Sequence, residues 1–276
     1  MASKGWKVVI AIINMVKGRE TAELVKGDFI EADVRSWEAR YSAFKMTFDK
    51  YGRLDFVFAN ASLSDRSDPF HPGNDDSDPV QPPDLNSTEV NFIGLTYTAL
   101  LAVKDFRKNP MVGVDLIMTA CGAGLYLTPV MPFYCGGKHG VVGFGRAMGG
   151  RLVKEGIRVH VLVPGMVPTT IMIEELLAHM DPALFTSPEH IAAAVVDILE
   201  KRISRATCEA SVNKLFYRDP PDFLDEAQRK AMGANSCCRL QNSDEGIVAC
   251  SLRGGRDAIL YAGSANRREE EGSSRA

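Results

Sequence analysis

The sequence is poor in everything that would hold a metal, a nucleic acid or a membrane. Its six cysteines are Cys121, Cys135, Cys208, Cys237, Cys238 and Cys250. Only the adjacent pair Cys237-Cys238 is close, a spacing that suits neither a zinc knuckle nor a disulfide framework. All six are read as reduced thiols. The five histidines, His71, His139, His160, His179 and His190, include no pair at His-Glu-x-x-His or comparable spacing and are read as packing or surface residues. There is no run of about 18 apolar residues, and the start, Met1 to Lys7, has no long apolar stretch leading to a small-residue cleavage site. A cytoplasmic protein with no membrane partner is therefore expected. A net charge of -3 and a pI near 6.0 give no basic field for nucleic acid or an anionic surface. What remains as a partner is a small neutral molecule. No internal repeat points to a solenoid.

What is present is a set of short, β-branched apolar runs: Lys7 to Ile13, Phe29 to Val34, Asp55 to Ala59, Val114 to Thr119 and Ile157 to Val163. Segments long enough for helices separate them. Strands alternating with helices imply a parallel sheet covered on both faces, because parallel strands need crossovers. The fold class is α/β, doubly wound. Trp37, Tyr41, Phe44 and Phe48 recur at three- and four-residue spacing and predict one core-facing stripe on a helix that ends at Gly52. Ser187-Pro188 predicts a helix start, with serine as N-cap and proline at the first helical position, running to about Lys201. Ser64 to Asp84 reads as a loop, either solvated or part of a substrate rim. One domain is expected over residues 1–232, followed by a disordered tail over 233–276.

The chemistry concentrates at Tyr134-Cys135-Gly136-Gly137-Lys138, where a phenol and an ammonium lie one helical turn apart. A phenol near pKa 10 exchanges protons poorly at neutral pH, but a cation within about 4–6 Å favours the phenolate. Proton transfer with a hydroxyl or carbonyl oxygen then becomes feasible. The spacing alone is weak evidence.

Its setting is more specific. Ile117 to Leu125 followed by Pro132 to Gly140 is similar to the strand, serine loop and Tyr-x-x-x-Lys helix of the short-chain dehydrogenase/reductase family. Asp33-Val34, Gly52-Arg53-Leu54-Asp55 and Ala59-Asn60-Ala61-Ser62 resemble its Asp-Val, Gly-x-Leu-Asp and Asn-Asn-Ala-Gly signatures, and Pro164-Gly165-Met166-Val167-Pro168-Thr169 its Pro-Gly-x-x-x-Thr turn. The motifs follow in the family's order over roughly residues 5–230. The resemblance implies Tyr134 as acid/base, Lys138 as its partner and ribose contact, and Asn91 as organiser of a relay water. It sets Asp33 and Val34 beside the adenine and Asn60 and Ala61 beside the adenosine ribose. Pro164 and Gly165, with Val167 and Thr169, fall beside the nicotinamide. It also implies a homodimer or homotetramer packed through the helices of Asn91 and Tyr134, with Gly136, Gly137, Gly140 and Gly143 permitting close approach.

Three departures stand out. Cys121 occupies the place of the family's serine, and a thiol is a weaker donor to a reacting oxygen. Ile12 stands where members that prefer NAD carry an acidic residue, which leaves NADP weakly preferred over NAD. Only one strand precedes Asp33-Val34 where the family has two. Its first strand and glycine-rich loop, whose N–H groups hold the pyrophosphate, are missing from that place. The missing strand would lie mid-sheet, exposing two neighbours unless they re-pair or another chain covers them.

The expectation is thus an oxidoreductase acting on a secondary alcohol or ketone, this chain being weakly active, inactive, or a shortened version of a longer one. Two other readings stand beside it: a non-redox binding remnant, and an enzyme that uses Tyr134 for proton transfer without cofactor.

Overall fold

The computed structural model describes residues 1–68, 70–72, 81–110, 113–171, 179–233 and 257–261. β1 (Lys7–Ile12) leads through α1 (Met15–Leu24) to β2 (Asp28–Glu31), and α2 (Trp37–Tyr51) leads to β3 (Phe56–Ala59). A short helix, Asn86–Thr88, and a π-helical turn, Glu89–Gly94, run directly into α3 (Leu95–Phe106). Then come β4 (Val114–Thr119), α4 (Pro132–Leu152), β5 (Ile157–Pro164), α5 (Pro188–Lys201), β6 (Thr207–Ser211), β7 (Lys214–Tyr217), α6 (Glu226–Gly233) and β8 (Asp257–Tyr261).

These strands form one sheet in the order β2-β1-β8-β3-β4-β5-β6-β7, parallel throughout except for β7, which runs antiparallel to β6. The doubly wound α/β class follows from the five apolar runs, each of which becomes a strand within a few residues of its expected bounds. In β4, Leu116 and Met118 enter one core, with Phe44 of α2, Leu101 of α3 and Val141 of α4. Ile117 enters the other, with Ile198 of α5. Alternate side chains of a strand point to opposite faces, so a strand apolar at every position is one covered on both.

Local signals position the helices. Ser36 accepts from Ala39 N at 3.1 Å to cap α2, which ends at Gly52 with φ 72°, a left-handed conformation suited to glycine. Ser187 accepts from His190 N at 3.1 Å, and α5 starts at Pro188 as expected.

Two expectations need correction. The aromatic stripe of α2 is only half core: Phe44 is buried and Phe48 packs against the core, but Trp37 and Tyr41 are exposed. The buried face of α2 is instead Arg40, Ala43, Phe44 and Thr47. Trp37 meets Tyr97 of α3 edge-on at 5.5 Å, and the Arg40 guanidinium lies 4.6 Å from the same ring. Aromatic spacing marked the helix but not its inner side, because arginine can bury its stem when its head finds acceptors. Here Nε donates to Ser36 O at 3.1 Å and Nη1 donates to Gly94 O.

The second correction concerns the expected disordered tail. Residues 257–261 are a central strand, pairing with β1 from Lys7↔Asp257 to Ile10↔Leu260 and with β3 from Phe56↔Ala258 to Ala59↔Tyr261. The slot that lacked a strand is filled by the chain's own later segment. The rest of that tail, 234–256 and 262–276, lies outside the described residues, as do Cys237, Cys238 and Cys250. Residue runs with no amphipathic period, such as Thr207 to Ser211, also become strands here, which periodicity did not indicate.

Phe44→Ala is expected to destabilise the protein by about 3–5 kcal/mol through loss of a buried ring. Trp37→Ala should cost about 1 kcal/mol, the worth of one exposed aromatic pair. Urea unfolding of both variants checks the assignment, and equal losses would refute it.

Candidate active site

The α4 helix carries Tyr134 and Lys138, and its entry is held by a residue outside it. Pro132 stands at the first helical position, where its missing N–H costs nothing. The next two N–H groups, Phe133 N and Tyr134 N, donate to the Asp65 carboxylate at 3.1 and 2.9 Å. A carboxylate at a helix N-terminus satisfies orphan donors and complements the helix dipole. Asp65 also accepts from the Ser87 hydroxyl. It thereby ties α4, the start of the Asn91 helix and the loop after β3 to one point.

Inside that frame, Lys138 is 1% exposed and its Nζ donates to Thr119 O, the end of β4, at 3.0 Å. Burial pushes its ammonium down to about 8. The Nζ lies 5.5 Å from the centre of the Tyr134 ring. Tyr134 is also buried, and its phenol is raised above the ordinary range: by desolvation first, then by the charge and hydrogen bond of Cys121, with Ser62's hydrogen bond opposing and Asp65's charge adding. The expected lowering by Lys138 is therefore not what this arrangement produces. With both groups withdrawn from water, desolvation raises the phenol and lowers the ammonium, so the phenol is held in its protonated, donor form.

Asn91 lies in the π-helical turn and is fully buried. Its Oδ1 accepts from Ser62 Oγ at 2.9 Å and Leu63 N at 2.8 Å, and its Nδ2 donates to Leu63 O at 2.7 Å. A π-turn admits one extra residue per turn and is common at functional sites. Here it turns an amide onto the loop after β3. Ser62 donates to Asn91 Oδ1 and lies near enough to the phenol to oppose its rise, so it stands between the phenol and that amide.

Cys121 has an extended backbone, φ -170°, just before the turn Gly122–Gly124. A Cβ on Gly124 would come within 2.7 Å of Lys138 O, so this loop sits directly on α4. Asn60 accepts from Thr119 Oγ1 at 2.8 Å, joining the carboxyl ends of β3 and β4. Tyr134, Lys138, Cys121, Asn91 and Asn60 thus converge at one end of the sheet.

The remaining predicted residues sit around this cluster. Val34 and Ala61 line a small hollow with Ala59, Val90, Leu95 and Thr98. The Asp33 carboxylate is held low by a fork of hydrogen bonds from Arg35, whose Nη1 also donates to Asn86 at 2.9 Å. Ile12 ends β1 and packs with Phe29 and Ile10 against α1. Beyond Pro164, Gly165 N donates to Ala210 O and Thr186 N to Met166 O, both at 2.7 Å, so the turn is pinned to β6 and to the entry of α5. Val167 is half-buried and Thr169 exposed. Ser64 Oγ donates to Ile171 O at 3.2 Å, closing the loop after β3 against the loop after β5. Of the loop Ser64 to Asp84, read as solvated or part of a substrate rim, residues 69 and 73–80 lie outside the described residues, as do residues 172–178. Gly140 and Gly137 take the π-turn, with Phe92 and Asn91 at 3.1 and 3.7 Å from a hypothetical Cβ, whereas Gly136 and Gly143 meet nothing within 4 Å. No cluster among the described residues has the make-up of a metal site, and no described helix is long and apolar enough to cross a membrane.

Sequence reasoning missed Ser62 and Asp65. Ser62 had a usable signal, since it stands where the resembled signature has glycine. Asp65 had none, because its partners lie far along the chain.

This arrangement of a parallel sheet with a Tyr-x-x-x-Lys helix at its carboxyl end is that of a nucleotide-fold oxidoreductase. The short chain dehydrogenase family description matches residues 1–180. The chain is 32% identical to the short-chain dehydrogenase/reductase prx7 of Penicillium rubens, over 84% of this chain and 91% of that one. It is 31% identical to the NAD(+)-linked 15-hydroxyprostaglandin dehydrogenase of Rattus norvegicus, over 55% of this chain and 53% of that one. Its fold is similar to that of a 3-oxoacyl-[acyl-carrier protein] reductase from Brucella melitensis, solved in complex with NAD, at TM-score 0.64 and 17% identity, covering 76% and 88% of the two chains. The chain belongs to the short-chain dehydrogenase/reductase family of oxidoreductases.

Ultraviolet titration against a Tyr134→Phe reference is expected to show the Tyr134 phenol ionising above pH 10, and Cys121→Ala should bring it down. An ionisation below pH 9 would refute the proton-donor assignment. The Lys138 ammonium is lowered from 10.5 to about 8 by folding, so its burial penalty is fully present below pH 8 and fades as pH rises toward 10.5. Wild-type stability relative to Lys138→Met should rise across that window, as chemical denaturation at several pH values would measure.

Proposed function

We propose that this protein interconverts a secondary alcohol and a ketone on a small organic molecule with a nicotinamide dinucleotide, Tyr134 exchanging the proton. The observation that carries the reading is the convergence of Tyr134, Lys138, Asn91, Cys121 and Ser62 at the carboxyl ends of β3 and β4. The nicotinamide, when bound, supplies or accepts the hydride. The residues present fit its ribose and nicotinamide half: Lys138 has three N–H donors, of which Thr119 O takes one, and the others suit ribose hydroxyls.

Tyr134, held protonated, donates to the substrate carbonyl oxygen as charge develops there, which makes reduction the natural direction. Ser62, beside the phenol and bonded to Asn91, steadies the loop after β3 against it. Cys121 lies where a second donor to the same oxygen belongs, and its thiol contributes weakly. Val34 and Ala61, on the small hollow, suit the adenine side, and Asp33 sits next to it. Asn60 suits the adenosine ribose. Pro164, Gly165, Val167 and Thr169 suit the nicotinamide face. Ile12 offers no carboxylate to ribose hydroxyls, which favours NADP over NAD. Ile93, Tyr97 and Leu100, exposed on the Asn91 helix, support a homodimer or homotetramer packed there, and the absence of a basic excess supports a cytoplasmic enzyme without nucleic-acid or membrane partners. A second reading, a non-redox remnant that keeps the pocket, draws on Cys121 and Ile12.

Titration with NADPH and NADH followed by reduced-nicotinamide fluorescence should show saturable binding at micromolar levels, lost in Lys138→Ala. Tyr134→Phe should keep binding and lose at least about 100-fold in turnover of a ketone substrate. A folded protein that binds neither nucleotide at millimolar concentration would leave the remnant reading.

A further inference from the structure

We propose that Thr186 is a positioning residue for the dinucleotide: it fixes the turn over residues 164–169, and through that turn it sets where the nicotinamide lies. The inference rests on the dinucleotide reading above, which puts this turn against the nicotinamide face. Three backbone segments meet at Thr186, and three hydrogen bonds join them in a closed ring. From the turn, Gly165 N donates to Ala210 O of β6 at 2.7 Å. From the entry of α5, Thr186 N donates to Met166 O at 2.7 Å. From the hairpin between β6 and β7, Val212 N donates to Thr186 Oγ1 at 2.8 Å. Thr186 is 0% exposed, so its hydroxyl is sheltered from competing water.

Two local features of the sequence serve this ring. A Cβ at Gly165 would lie 3.1 Å from both Thr186 Oγ1 and Ser211 Oγ, so only glycine lets the two hydroxyls seat directly on the turn. Ser211 pairs with Lys214, which leaves Val212 and Asn213 as a two-residue hairpin loop whose first position takes a positive φ. Val212 has φ 52°, a costly conformation for a β-branched residue, where glycine or asparagine is usual. Such strain persists only where the surroundings over-determine it, and the bond to the buried Thr186 hydroxyl is one such hold. The ring also stands at the base of the loop after β5, because the chain leaves at Met166 and returns at Thr186, bonded across the gap. A shift of the turn therefore strains all three bonds together. Misplacing a reacting group by about 1 Å can cost about 100-fold in rate, so a hydroxyl remote from the chemistry can govern it through the turn.

The test separates the two halves of the cofactor on the full chain. Calorimetry measures binding of NADPH and of 2′,5′-ADP, which carries the adenosine half alone, with NADH and ADP in their place if NADH binds more tightly. Thr186→Val keeps the side chain's shape and removes its acceptor. It is expected to weaken NADPH at least tenfold and to leave 2′,5′-ADP within twofold, and Thr186→Ser, which restores the hydroxyl, to bind both within threefold of the wild type. Equal weakening of both ligands in Thr186→Val marks a residue of general stability and overturns the proposal, as does unchanged NADPH binding. Should Thr186→Val fail to fold, hydrogen-deuterium exchange on the wild type decides. The amides of Gly165, Thr186 and Val212 are expected to slow with NADPH and not with 2′,5′-ADP, and the same exchange with either ligand overturns the proposal. A folded wild type that binds no dinucleotide overturns the dinucleotide reading, and the positioning role with it. A wild type that binds NADPH beside a Thr186→Val variant that binds it equally well overturns the positioning role alone.

Discussion

A parallel sheet cannot tolerate a vacancy in its interior, and the architecture of this protein turns on that constraint. Each interior strand presents N–H and C=O groups to both sides, and the helices stacked above and below exclude the water that could satisfy them. Between β1 and β3 the slot is taken by Asp257–Tyr261. With that strand in place, the carboxyl ends of β1, β3 and β4 lie at the spacing that brings the loop after β3 under α4. Everything at the active site is hung from those ends. The contact is among the longest in sequence that the chain makes, so the centre of the sheet closes only after the rest of the chain is made, a topology that favours slow folding.

Burial sets the electrostatics of the site in the same way that pairing sets its frame. Desolvation lowers the Lys138 ammonium and raises the Tyr134 phenol, because in both it disfavours the charged form. The simple view of a tyrosine-lysine pair, a cation pulling a proton off a phenol, needs the ammonium free to face the oxygen. Here the Thr119 carbonyl takes it. One Lys138 donor is fixed on the strand end, and the Tyr134 phenol is held protonated.

Much of this was legible in the sequence, and for identifiable reasons. Alternating β-branched runs gave five of the strands, because a strand covered on both faces must be apolar throughout. Ser36, Gly52 and Ser187 gave helix ends, because capping depends on one or two adjacent residues. The cluster of Tyr134, Lys138 and Asn91 was visible through a resemblance spread over many motifs. What stayed hidden were long-range facts. Asp65 is one aspartate in a polar loop until its carboxylate meets the first turn of α4. The inward side of α2 was misjudged because Arg40, not Trp37 or Tyr41, is buried. The strand Asp257–Tyr261 is five residues in a segment without amphipathic pattern, and only the vacancy elsewhere gives it meaning.

The same vacancy argument bears on the loss of the family's serine. Cys121 places a thiol, a weaker hydrogen-bond donor than a hydroxyl, beside the Tyr134 phenol. Ser62 brings a hydroxyl to the site from a different strand end, in the place of a glycine, and it bonds Asn91 while lying near the Tyr134 phenol. A serine there cannot simply stand in for one at position 121, because its proton is committed to Asn91 Oδ1 at 2.9 Å. The phenol itself is only as well placed as the Asp65 carboxylate makes it, because that carboxylate accepts from Phe133 N and Tyr134 N at the entry of α4.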